Sequence, residues 1–221
     1  MIENGFSVYS QFGEDGVLQY LIRTLNLSNK QCCEFGMSGI TFSNTFNLVE
    51  NYDWLGVFIE KNENELKKIK KGICINKVVE VSGINSLDNI LSETPIECIF
   101  DILSIDVDGI DYHIWNSVKK YFPNIVVIEV NPFIPFNEEY INDGTRFSSS
   151  FKSLVKLGKS KGYSLVCMTG NLIFVRDEIL LGTELENYID YNPNKLFLND
   201  AIMIDKKQIS FKRYIKKTHL I

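Results

Sequence analysis

The chain has 221 residues, enough for one well-packed domain with embellishments and short for two. Its 45% hydrophobic and 12% aromatic content describes an ordinary globular core, and no apolar run approaches the roughly 18 residues that span a bilayer. A net charge of −5 argues against a nucleic-acid-binding surface.

The opening residues, Met1-Ile-Glu-Asn-Gly5, lack the basic and apolar stretches of a secretion signal, so a cytoplasmic location is expected. Cys32, Cys33, Cys74, Cys98 and Cys167 lie in or beside expected strands. Their odd number and the absence of a CxxC pair favour buried, reduced thiols over zinc ligands or disulfides.

Apolar residues at Val17, Leu18, Tyr20, Leu21 and Leu25 give residues 10–27 a helical period, within an N-terminal cap of residues 1–30. Strands and helices then alternate. Strands are expected at 31–35, 55–60, 73–81, 98–105 and 124–130, with helices near 43–52, 62–71, 86–92 and 112–121. The fifth strand is continuously apolar, as in a strand buried on both faces. Pro132-Phe-Ile-Pro-Phe136 breaks the alternation, and residues 132–150 form an irregular insertion. A helix near 151–161 precedes a hairpin, 163–169 and 172–175, with Gly170-Asn171 at its turn. Residues 177–221 are a C-terminal extension whose tail carries Lys206, Lys207, Lys212, Arg213, Lys216 and Lys217, read as a solvated element. The pattern implies one α/β domain: a doubly wound, mostly parallel sheet with an antiparallel strand at its edge.

In such a sheet, ligands bind beyond the carboxyl ends of the strands, at the switch point beside the first. That rule selects the turn from Glu34 to Gly39, then Glu60, Ser82, the stretch from Ser104 to Asp111, and Glu129-Val-Asn131. Glu60 follows Gly39 by twenty-one residues, a spacing that places an acid where a cofactor's ribose hydroxyls would lie. A dinucleotide fold wants G-x-G-x-x-G, whereas Gly36-Met-Ser-Gly39 has no third glycine. Glu34 before the turn would repel a pyrophosphate but could hold a cationic amino group. These features suit S-adenosylmethionine, which has a charged amino-acid end and a ribose.

Several stretches together resemble the FkbM-type S-adenosylmethionine-dependent methyltransferases, above all bacterial members associated with surface-polysaccharide biosynthesis. They are Ser10-Gln-Phe-Gly-Glu-Asp-Gly16, Cys33-Glu-Phe-Gly36, Ser43-Asn-Thr45, Trp54-Leu-Gly-Val-Phe-Ile-Glu60, Ser104-Ile-Asp-Val-Asp-Gly109 and Gly170-Asn-Leu-Ile-Phe174. The resemblance runs from residue 8 to about 176. It implies a Rossmann-like class I methyltransferase fold and O-methylation of a sugar or sugar-linked group in capsular polysaccharide biosynthesis. It also implies cofactor roles for Glu34, Gly36 and Glu60, with Gln11 and Asn44 closing over the cofactor's amino-acid end; Ser38, Gly39, Ser82 and Asp106 join the expected cofactor site as residues of the strand ends. The acceptor would be a small-molecule or nucleotide-linked sugar. Ser38 stands where many class I enzymes have a second glycine, and Asp108 where many FkbM members have Glu.

Methyl transfer to an alcohol needs an in-line sulfonium and oxygen, and a base or metal for the hydroxyl proton. Asp108 and His113 are the catalytic candidates, since imidazole suits a base near neutral pH. Asp106, Asp108 and Asp111 lack the rest of an EF-hand loop. A magnesium ion shared by Asp106 or Asp108 with Glu129 and Asn131 is the alternative, and a metal-free site the preferred reading. Phe133, Phe136, Tyr140 and Phe147 could wall the acceptor, with Arg146 for a phosphate or carboxylate on it. Two other readings share the βαβ unit: a nicotinamide-dependent oxidoreductase or epimerase of nucleotide sugars, and a noncatalytic module with a methyltransferase-like fold.

Overall fold

A computed structural model describes residues 2–144 and 148–186. A single turn of 3₁₀ helix, Ile2–Asn4, precedes α1 (Glu14–Thr24). Then follow β1 (Gln31–Phe35), α2 (Phe46–Tyr52), β2 (Leu55–Ile59), α3 (Glu63–Leu66), β3 (Ile73–Ile75) and α4 (Leu87–Leu91). The second half contains β4 (Ile102–Ile105), α5 (Asp111–Ser117), β5 (Ile125–Glu129), α6 (Phe151–Ser160), β6 (Tyr163–Met168), β7 (Asn171–Arg176) and α7 (Asp177–Leu180).

The seven strands form one sheet in the order β3-β2-β1-β4-β5-β7-β6. β1 to β5 are parallel, and β7 runs antiparallel between β5 and β6. The antiparallel strand therefore lies one place in from the edge, because the 163–176 hairpin inserts its second strand beside β5. This is a doubly wound α/β architecture.

Side-chain alternation along each strand divides the core in two. Cys33, Phe35, Val57, Ile59, Leu103, Ile105, Val126 and Ile128 face one layer, where α4, α5 and α6 supply Leu87, Ile90, Ile114, Trp115, Phe151 and Leu154. Cys32, Phe58, Ile102, Ile125 and Val127 face the other, against Val17, Leu18 and Leu21 of α1 and Phe46 and Val49 of α2. Trp115 is the largest fully buried side chain and packs edge-on to Tyr163 and tilted against Phe174. Cys32, Cys33 and Cys167 are buried as expected, but Cys74 and Cys98 are exposed, because β3 is an edge strand and Cys98 precedes β4.

Several elements are shorter than the sequence suggests. β3 ends at Ile75 rather than 81, since the Asn76 side chain donates to the carbonyls of Glu60 and Lys61 and turns the chain out of the sheet. α1 begins at Glu14 rather than near Ser10. One Asp15 carboxylate oxygen accepts from the amides of Val8, Tyr9 and Ser10 and holds that stretch as a tight loop. α3 gives way to i→i−3 bonds at Lys68 and Ile69. α7, a single turn of four residues, is too short to leave a periodic signal in the sequence. The 206–217 tail lies outside the described residues.

The N-terminal loop is locked onto the hairpin. Buried Glu14 accepts from the Thr169 hydroxyl at 2.6 Å, the Asn171 amide group at 3.2 Å and the Phe12 backbone at 2.8 Å. A Cβ on Gly170 would lie 1.9 Å from the Phe12 ring, so the turn and ring are in direct contact. This clamp fixes one flank of the fold beside the carboxyl end of β5, where Asn171 pairs with Glu129.

Candidate functional site

The strand order reverses between β1 and β4, and there the ends of four parallel strands line a cleft of about 370 Å³. Phe35 to Ser38 come from the end of β1, Ile59 to Asn62 from β2, Lys77 to Val79 from the chain leaving β3, and Asp106 to Asp108 from β4. This is the crevice that topology assigns to ligands in open α/β sheets.

The turn after β1 is built on Gly36. Its φ is +83°, and a Cβ there would lie 1.6 Å from the Asp106 carbonyl oxygen. Only glycine allows the β1 turn to pass so close to the end of β4. Its amide donates to the Ile59 carbonyl, so the turn joins the ends of three strands. Gly39, at φ +71°, packs against the side chains of Glu65 and Lys68. Ser38, between them, is exposed on the cleft wall.

Glu34 does something the sequence reading did not foresee. On β1 it alternates with Cys33 and Phe35, so it faces the layer of α2. Its carboxylate accepts from the Ser43 hydroxyl (2.6 Å), the Asn44 amide (2.8 Å), and the Thr45 amide and hydroxyl (3.0 and 2.7 Å). It therefore caps the N-terminal approach to α2 and is absent from the cleft lining. Burial pushes its pKa up, and these four donors pull against that shift. Asn44 joins the same lock: its side chain donates to Ser104 Oγ on β4 at 3.0 Å.

Glu60 stands one residue beyond β2 and is only 8% exposed. Oε1 accepts from the Asn62 amide at 2.8 Å, while Oε2 has no protein donor among the described residues. A fixed carboxylate with one open oxygen at the cleft suits a pair of ligand hydroxyls. Lys77, Val78 and Val79 take the place on the cleft wall expected of Ser82, which is exposed and off the wall because β3 stops at Ile75. Gln11 is exposed and does not line the cleft.

Acids gather on the opposite wall. Asp106 follows β4, and Asp108 is exposed on the next turn at φ +56°. The turn is shaped by buried Asp111, whose carboxylate accepts from the amides of Val107 and Gly109 at 2.8 and 2.9 Å. Glu129 ends β5, the neighbouring strand. One carboxylate oxygen from each of Asp106, Asp108 and Glu129 lies within 4.8 Å of the others. Burial, and then the charges of Glu129, Asp111 and Asp108, raise the Asp106 pKa well above the usual carboxylate range. Burial, then Asp111 and Asp108, push Glu129 up to about 8.

His113 lies on α5 and does not line the cleft. Its Nε2 is 2.9 Å from the Asn142 carbonyl, which can only accept, so this nitrogen carries the proton and donates. The ring holds the 132–150 insertion to α5. Within that insertion Phe133 is 63% and Tyr140 40% exposed, whereas Phe136 packs on the core. Arg146, Phe147 and His219 lie outside the described residues.

Of the sequence-derived site residues, Gly36, Ser38, Glu60, Asp106 and Asp108 meet at the cleft. Gln11, Glu34, Gly39, Asn44, Ser82 and His113 do not line it. Residues the sequence reading missed, notably Lys77 and Val79, could have been found only with β3's true end.

No protein-family model matches the chain, and neither does any curated protein. Among solved structures, the N-terminal domain of EvdMO1, crystallised in the presence of SAH and D-fucose, is 10% identical. The match covers 78% of this chain and 88% of that one, with a TM-score of 0.45. TYW2 from M. jannaschii, in complex with AdoMet, is 14% identical over 77% of this chain and 78% of that one, with a TM-score of 0.38. Among the described residues, no helix is long and apolar enough to cross a membrane.

Proposed function

We propose that this protein is an S-adenosylmethionine-dependent O-methyltransferase acting on a hydroxyl of a sugar or sugar-linked group. The observation that carries the reading is the Glu34 carboxylate at the start of α2. In dinucleotide folds the N-terminus of the first helix after β1 receives the pyrophosphate. Here the protein's own carboxylate takes the amides of Asn44 and Thr45, and a phosphate would meet negative charge instead of free N–H groups. A cofactor without phosphates fits, and the open oxygen of Glu60 supplies the ribose acceptor. The nicotinamide alternative loses its phosphate site by the same observation.

In this reading the amino-acid end of the cofactor lies along the Gly36–Ser38 turn and the ribose against Glu60. The acceptor hydroxyl enters from the Asp106–Asp108 side. The sulfonium–methyl bond breaks as the oxygen–methyl bond forms, leaving a neutral thioether, and the hydroxyl proton passes to a carboxylate on that wall. We assign this role to Asp108, which is exposed and lines the cleft. His113 is not given it, because the residue does not line the cleft and its Nε2 is tied to the Asn142 carbonyl of the insertion. The acceptor class rests on the FkbM-like motifs, which point to surface-polysaccharide biosynthesis in the cytoplasm.

Incubation with methyl-labelled S-adenosylmethionine and a panel of nucleotide-linked and free sugars, read by mass spectrometry, tests the reading. A mass gain of one methylene on one sugar is expected. Cofactor binding with no product across the panel would favour the noncatalytic module.

A further inference from the structure

We propose that His113 is a positioning residue for the acceptor: through Asn142 it seats residues 140–144 of the insertion against the wall of the cleft. The proposal rests on the methyltransferase reading and names, within that site, the element that places the acceptor hydroxyl.

The wall concerned is the turn that follows β4. Ile110 lines the cleft there, together with Asp106, Val107 and Asp108. It is also the N-cap of α5, and its carbonyl accepts the first helical bond, from the Ile114 amide at 3.0 Å. His113 stands three residues further on, and a spacing of three puts both side chains on one face of the helix. The insertion returns to that face. A Cβ on Gly144 would lie 3.4 Å from Ile110 Cγ2, so the chain at 144 rests on a residue of the cleft wall. Two residues earlier, the Asn142 carbonyl lies 2.9 Å from His113 Nε2 and accepts its proton.

The stretch is braced from within. The Ser150 amide donates to the Tyr140 carbonyl at 2.8 Å, and the Tyr140 amide donates back to Ser150 Oγ at 2.9 Å. The Asn142 amide donates to Ser149 Oγ at 3.0 Å. Asn142 Oδ1 then accepts from the Gly144 amide at 3.1 Å, closing the turn that lands Gly144, at φ +104°, on Ile110. Asn142 is fully buried, whereas Tyr140, Ile141, Asp143 and Gly144 on either side of it are exposed. These bonds tie the insertion to itself. The His113 bond ties it to α5, and so to the helix whose N-cap lines the cleft.

A braced arm set by one such bond shifts as a unit when the bond is lost. In the methyltransferase reading the acceptor enters on the Asp106–Asp108 side, beside Ile110, so the arm borders its path. Methyl transfer needs the acceptor oxygen in line with the sulfonium–methyl bond, and a misplacement of about 1 Å can cost about a hundredfold in rate. The cofactor lies along the Gly36–Ser38 turn and Glu60 in the same reading, and neither touches the arm through any bond named here. Loss of the His113 bond therefore acts on the acceptor and spares the cofactor.

The test measures initial rates of the full chain with methyl-labelled S-adenosylmethionine and whichever free or nucleotide-linked sugar takes the methyl group. His113→Leu should lower kcat/KM for that sugar about a hundredfold. His113→Asn, too short to reach the Asn142 carbonyl, should do the same, and His113→Gln should keep most of the wild-type value. All three should bind S-adenosylhomocysteine with wild-type affinity by calorimetry, an outcome that a general loss of structure would not give. His113→Asn keeps the test decisive if His113→Leu fails to fold. Hydrogen exchange read by mass spectrometry should show the 140–144 amides exchanging faster in His113→Asn than in the wild type. Undiminished kcat/KM or unchanged exchange in His113→Asn would overturn the positioning role and leave the methyltransferase reading standing. A wild-type protein that binds no S-adenosylhomocysteine, or methylates no sugar, would sink that reading and the acceptor role with it.

Discussion

Gly36→Ala probes the hinge on which the cleft depends. Two costs combine. An L-residue at φ +83° sits in the left-handed region at about 1–2 kcal/mol. The new Cβ would also lie 1.6 Å from the Asp106 carbonyl oxygen, where real Cβ contacts stay beyond 3.0 Å, so backbone must move. Overpacking against an unyielding neighbour adds about 1–3 kcal/mol, for a total of about 2–5 kcal/mol. Gly83→Ala is the matched control: φ is +81° and nothing lies within 4 Å of the added carbon, so the conformational cost of about 1–2 kcal/mol acts alone. Urea unfolding of both variants should therefore differ by the clash term. Gly36→Ala should also weaken S-adenosylhomocysteine, since its turn and Asp106 both line the cleft. Equal stabilities in the two variants would refute the close approach of the β1 turn to β4.

Glu34→Ala should destabilise the fold by about 2–4 kcal/mol, because the amides of Asn44 and Thr45 and two hydroxyls lose their acceptor inside the protein. A loss under about 1 kcal/mol in urea titration would contradict its capping role. His113→Gln, which keeps a donor for the Asn142 carbonyl, should retain most turnover, and His113→Leu should lose it. Equal, hundredfold losses in both would restore His113 as the general base. The melting temperature should fall as pH rises above the unfolded carboxylate value of about 4. Burial raises the pKa of Glu34 and of Asp101 in the fold, so their stabilisation is complete below the unfolded carboxylate value of about 4 and lost as pH rises through the folded values. A melting temperature that climbs over this range would oppose that assignment.

Much of the scaffold was legible because the physics is local. The alternation of Cys32, Cys33, Glu34 and Phe35 marks a strand with two buried faces, and Glu60 falls at the end of the next. The same alternation placed Glu34 on the α2 side, opposite Phe35, and the Ser43-Asn-Thr45 run offered it donors. Taking Glu34 as a cleft residue came from its place near the strand end and ignored its face. Ser82 was misplaced because Val and Ile continue past Ile75, whereas the Asn76 side chain ends the strand by bonding the β2 turn. Gln11 was drawn into a helix that starts only after Asp15 has tied down the amides of residues 8–10. His113 was beyond reach, since its partner Asn142 lies 29 residues away in an irregular segment. The Asp106–Asp108–Glu129 cluster could be anticipated only as a grouping of strand ends.

Titration calorimetry of S-adenosylhomocysteine into wild type and Glu60→Ala tests the central claim most directly, with NADH as the comparison ligand. One site is expected in the wild type, with binding weaker by about 1–3 kcal/mol in Glu60→Ala and no binding of NADH. A folded wild-type protein that binds NADH and leaves S-adenosylhomocysteine free would contradict it.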